Sequence, residues 1–143
     1  MPRTQVVDSN PIDETVRAFL RDHVHSYEHL EVLLLLWRSP GHSWSCENVA
    51  DQLNIGLAAT EEALNDLTGH LLVRGDRDGT PTFRYSARTG SIDRSMQALA
   101  RAYETQLLEL TKLMNANAVE RIRSATARRF ADSFLIGRGR RDG

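Results

Sequence analysis

Three histidines, His23, His25 and His29, stand close together near the start of the chain. His25 and His29 have the i, i+4 spacing at which two imidazoles on one helix can hold a metal ion. Ser26 lies between them, and a serine there is a helix cap that would break that geometry. No cysteine or carboxylate nearby has a recognisable ligand spacing, so these are expected to be ordinary surface or interface histidines, with no metal and no cofactor. His42 and His70 are read the same way. The single Cys46 forbids an internal disulfide and fits a reducing compartment. Its place in the first turn of a helix could lower a thiol pKa, but a small structural residue is the plainer role. There is no phosphate-cradling glycine loop, no nucleophile elbow and no carboxylate pair at a meaningful spacing, and the chain is read as a non-enzyme.

What remains is charge, and it is unevenly spread. The net charge is only -1, yet residues 45–73 carry five acids (Glu47, Asp51, Glu61, Glu62, Asp66) and no lysine or arginine. Residues 74–90 carry four arginines (Arg74, Arg77, Arg84, Arg88) against two aspartates, and residues 119–143 seven arginines against three acids. A chain of 143 residues makes one ordinary domain that can bury a core without staples. Its longest apolar run, 32–37, is far too short to span a bilayer and reads as a buried helix; with no secretory signal, the expected compartment is cytoplasmic.

The elements that position these charges follow from caps and periods. Residues 1–10 read as a loose tail. Asn10 as N-cap and Pro11 at the first helical position predict a helix to about residue 25 whose face is Ile12, Val16, Phe19, Leu20 and His23. Ser26 caps a second helix through 38, apolar nearly all round. Ser45 is an N-cap, Trp44 before it can pack on Val49 as a hydrophobic staple, and Val49, Ala50 and Leu53 give a buried face. Gly56 permits a left-handed or open backbone at the reversal that follows. A helix over about 58–69 has Ala59, Ala63, Leu64 and Leu67 inward and Glu61, Glu62, Asn65 and Asp66 outward. Runs 71–74 and 82–85 are β-prone, separated by the turn-rich 75–79, and close as a hairpin. Ser91 then caps a long helix with the stripe Ile92, Met96, Leu99, Tyr103, Leu107, Leu110 and Met114. An interruption is expected at 115–117, then a last helix with Val119, Ile122, Phe130 and Phe134, and a flexible cationic tail over 137–143.

Ser45, Val49, Ala50, Leu53, Ile55, Ala63, Leu64, Leu67, Leu71, Leu72 and Val73 in this layout give the chain its likeness: residues 27–86 resemble the winged helix-turn-helix regulators, in particular the small bacterial MarR-like and PadR-like kind. The expected fold is mainly α with a small β-hairpin wing, a winged helix-turn-helix core with an extra N-terminal helix and long C-terminal helices. The expected organisation is a tail (1–10), the N-terminal helix plus winged helix (11–90), a C-terminal helical dimerisation region (91–136) and a basic tail (137–143). The resemblance implies DNA contacts from the second helix of the motif (Leu57, Ala58, Glu61, Glu62, Asn65) and from the wing (Arg74, Arg77, Arg84). It also implies a homodimer, which the stripe would form through Met96, Leu99, Tyr103, Leu107 and Leu110. The residues pull against the first of these: an acidic helix repels phosphate and suits a basic protein surface, such as a transcription factor or polymerase subunit. DNA and protein docking stand level, with transcription-associated regulation as their common ground and no membrane partner.

Overall fold

The computed structural model describes residues 11–70, 72–76, 79–86 and 89–142, with side chains to 133. Element order is α1 (Glu14–His23), α2 (Tyr27–Arg38), β1 (Trp44–Ser45), α3 (Cys46–Leu53), α4 (Leu57–Gly69), β2 (Val73–Asp76), β3 (Thr82–Tyr85), α5 (Gly90–Thr105) and α6 (Leu107–Asp142). This is a mainly helical winged helix: helix, strand, a helix-turn-helix pair, then a hairpin. It carries one more strand than the sequence indicated, because β1 joins the hairpin to make an antiparallel sheet ordered β1-β3-β2.

Helix α2 is the axis of the core. Its Leu30, Val32, Leu33, Leu34 and Leu36 are all buried, covered on one side by α4 and α3 and on another by β3. The cap at Ser26 is as expected, its Oγ accepting the His29 amide at 3.1 Å. Ser45 likewise accepts the Asn48 amide at 3.1 Å and starts α3. Trp44 is half-buried against the core while pairing with Phe83 in the sheet. At the reversal into α4 the left-handed residue is Asn54 (φ 56°), not Gly56, which is extended (φ -64°) and caps α4. Asparagine tolerates that region better than other side chains, so the turn did not require the glycine.

Other boundaries move for physical reasons. Asp13 takes the N-cap position of α1, without a side-chain cap hydrogen bond, and the helix starts three residues beyond Pro11, which leaves Ile12 free to turn into the core; Asn10 lies outside the described residues. Thr60, not Ala59, faces inward on α4. Its hydroxyl donates to the Gly56 carbonyl at 2.8 Å, so the threonine is buried with its polar atom satisfied, and 60, 63, 64 and 67 make one helical face. Strand β2 lies two residues later than the 71–74 run, so that Val73 faces Tyr85 and Gly75 faces Phe83 on the core side. Thr89 rather than Ser91 caps α5, accepting the Ile92 amide at 3.1 Å.

The long C-terminal region breaks at Gln106 and not at 115–117. The bend lets Leu110 and Met114 reach α1 and α5, whereas Asn115 and Ala116 stay exposed inside a continuous helix, where asparagine costs little. Helical backbone runs on through Asp142, over the stretch expected as a tail. Met96, Leu99, Leu110 and Met114 belong to the same buried cluster as Val16, Leu20 and Leu33, so the core crosses the boundary drawn at residue 90. Among the described residues, no helix is long and apolar enough to cross a membrane.

Candidate nucleic-acid interface

The outer face of the hairpin follows from strand alternation. Val73, Phe83 and Tyr85 point to the core, so Arg74, Asp76, Thr82 and Arg84 point away from it. Arg74 and Arg84 are direct cross-strand partners, both exposed, and among the described residues neither is in an ion pair. Like charges directly opposite one another destabilise a sheet, which makes this arginine pair a poor choice for folding and a seat for an anion, although Asp76 lines the same cleft. A cleft of about 300 Å³ with Ser43 at its rim lies over the two arginines. Arg77, expected at the wing tip, and Arg88 fall outside the described residues.

Helix α4 presents Leu57, Ala58, Glu61, Glu62 and Asn65 together on its exposed side. No cation among the described residues forms an ion pair with Glu61 or Glu62, so the electrostatic conflict noted in the sequence persists in three dimensions. Between α4 and the wing is a cleft of about 440 Å³, lined in part by Cys46, Glu61, Asn65 and Phe83. Burial, helped by Glu47 and Glu61, pushes the Cys46 thiol up from its ordinary value, which disfavours a reactive thiolate there.

The expected dimer stripe is spent inside the chain. Met96, Leu99 and Leu110 are fully buried where α5 and α6 pack on α1, Tyr103 is half-buried under Arg38, and of the stripe only Leu107 is well exposed. Apolar side chains are left open at the start of α6, at Leu107 and Leu108, and further along it at Val119, Ile122 and Phe130, which are 51%, 67% and 73% exposed.

Sequence reasoning separated residues that the fold brings together. The histidines at the end of α1 and the start of α2 meet α4: His25 Nδ1, His29 Nδ1 and His70 Nε2 lie 4.0, 3.3 and 3.9 Å from one oxygen of Asp66. His23 Nδ1 and His70 Nδ1 are hydrogen-bonded at 3.1 Å. Burial is the main reason the His23 and His25 imidazoles sit below the ordinary histidine range, with His70 adding to the effect at His23 and Arg121 at His25. The i, i+4 pairing was the one available signal, and Asp66 and His70, about forty positions away, could not have been added to it.

No family model and no curated protein matches the chain. Solved structures similar to it include the adhesin competence repressor AdcR from Streptococcus pyogenes, at 19% identity over 79% of this chain and 82% of that one (TM-score 0.48). Another is a mutant of Lactococcus lactis ZitR in complex with DNA, at 18% identity over 73% and 75% (TM-score 0.46). A third is an S. aureus MepR-DNA complex, at 14% identity over 78% and 90% (TM-score 0.47).

Proposed function

We propose that the protein is a winged-helix transcription regulator that binds duplex DNA, with the wing supplying the phosphate contacts and α4 lying in the major groove. The observation that carries this reading is the Arg74–Arg84 couple on the outer face of the hairpin, in no ion pair among the described residues. Backbone contacts hold such a protein in register before any base is read, and each neutralised phosphate contributes about 0.9 to the salt slope of binding. Asn65 has the groups to read an adenine, and Glu61 or Glu62 to accept from a cytosine amine, once the arginines hold the backbone.

The chain acts as a homodimer in this reading. The face for it is the outer stripe of α6, with Val119, Ile122 and Phe130, in place of the buried Met96–Leu110 set. A helix that leaves the core with such a stripe is covered most simply by its own copy across a two-fold axis, which also presents two α4 helices about one turn of DNA apart. The second reading, docking on a basic protein surface, is favoured by the exposed Glu61 and Glu62.

One pair of variants decides between them. Arg74→Ala with Arg84→Ala should weaken binding to every duplex and lower the salt slope by about two units. Glu61→Lys with Glu62→Lys should strengthen non-specific DNA binding. Native DNA binding with an unchanged slope in the arginine variant would rule out the wing as the phosphate clamp.

A further inference from the structure

We infer that His25, His29, Asp66 and His70 form a binding site for a zinc-class divalent transition-metal ion. Three separate stretches of chain supply the donors: the α1–α2 junction, the first turn of α2 and the last turn of α4. One ligand atom from each of His25, Asp66 and His70 lies within 4.8 Å of the others. His29 completes the set, its Nδ1 standing 3.3 Å from the same Asp66 oxygen.

Two buried atoms mark this as more than a crowded surface. His29, only 6% exposed, has its Nδ1 without a hydrogen-bond partner among the described residues, and so has the Asp66 Oδ2 that it faces. The pair is close but out of line for a hydrogen bond. A buried polar atom left unsatisfied destabilises the fold, and a cation between the two satisfies both at once. In a tetrahedral shell with bonds of about 2.0–2.1 Å, neighbouring donors stand about 3.3 Å apart. The observed separations of 3.3, 3.9 and 4.0 Å from Asp66 equal or modestly exceed that value. Imidazole donors select zinc, nickel or cobalt over magnesium and calcium, which prefer oxygen.

The surroundings hold the donors in place. His70 must keep a proton on Nδ1 if its Nε2 is to bind metal, and that Nδ1 is hydrogen-bonded to His23 Nδ1, which accepts the bond when His23 carries its own proton on Nε2. Arg121 of α6 donates to the His25 carbonyl at 2.6 Å and fixes the junction. The ion would tie α4 to the α1–α2 junction and place a divalent charge one turn beyond Glu62, relieving the repulsion between α4 and phosphate. That last consequence rests on the DNA reading above.

Metal-stripped full-length protein, titrated with zinc against a chromophoric chelator, should bind one equivalent per chain, and cobalt should give the visible absorption of a tetrahedral site. Asp66→Asn and His70→Gln should each lose the cobalt band, and His23→Ala should weaken zinc binding about 10- to 100-fold, as for other second-sphere partners. Circular dichroism identifies the folded variants; where one fails, His25→Gln on the exposed edge replaces it. No stoichiometric zinc binding, or native affinity in folded Asp66→Asn and His70→Gln, overturns the site. A DNA titration with and without zinc separates the two levels. Zinc binding that leaves DNA affinity unchanged overturns the regulatory consequence alone, and a zinc-loaded protein that binds no duplex overturns the DNA reading while the metal site stands.

Discussion

The indole N–H of Trp37, on the last turn of α2, donates to Asp93 Oδ1 across 3.3 Å, and the Tyr85 hydroxyl meets the same oxygen at 3.4 Å. One carboxylate in the first turn of α5 thereby ties together the central helix, the wing strand β3 and the C-terminal helices. Its position near a helix N-terminus favours the negative charge.

Removing that carboxylate should be costly. Asp93→Ala leaves two partly buried donors without their acceptor and should lower stability by about 1–3 kcal/mol. Asp93→Asn, which keeps an acceptor oxygen, should lose less. Denaturant melts of the two variants check this, and equal stability of Asp93→Ala and the parent would show that the shared oxygen contributes nothing.

Alkaline pH should destabilise the fold through two tyrosines. Burial together with Asp93 raises the Tyr85 phenol well above its ordinary value, and burial with the hydrogen bond to Glu31 does the same for Tyr103. The folded state then keeps protons that the unfolded chain loses above a pH of about 10. The stability they contribute is fully present below that pH and falls as pH rises past it. Melting temperatures from pH 8 upward should decline there, and less steeply in Tyr85→Phe; a flat profile would contradict the shifts.

The buried face of α4 can be tested at Leu64, which is fully buried against α2 and α3. Leu64→Ala should cost on the order of 2–5 kcal/mol through the cavity it leaves. A variant that melts with the parent would mean the neighbours collapse into the space.

Self-association should follow the open stripe of α6. Ile122→Glu with Phe130→Ser is expected to convert a dimer into a folded monomer by light scattering at micromolar concentration, whereas Leu107→Ser should leave the dimer intact. A native protein that is already monomeric would remove α6 as an interface.

Much of this molecule could be read locally. Ser26 and Ser45 act as caps because capping is a matter of a hydroxyl and an amide a few positions apart, and the apolar circumference of α2 announced a helix covered on several sides. The winged-helix layout and the acidic side of α4 are likewise present in the order and period of the residues. Other features depended on which surfaces meet. Periodicity shows that Met96, Leu99 and Leu110 need a partner, but not whether it is a second chain; the break at Gln106 settles it within this one. Strand β1 exists only because Trp44 finds Phe83 across the sheet. The His25–His29–Asp66–His70 cluster needs both the helix break at Ser26, which on spacing alone argued against a site, and the packing of α4 on α2, which brings the three histidines within 4.0 Å of one Asp66 oxygen. Caps and periods act over one or two turns of chain and are written in neighbouring residues, whereas a site assembled from donors some forty positions apart is decided only when the helices that carry them pack.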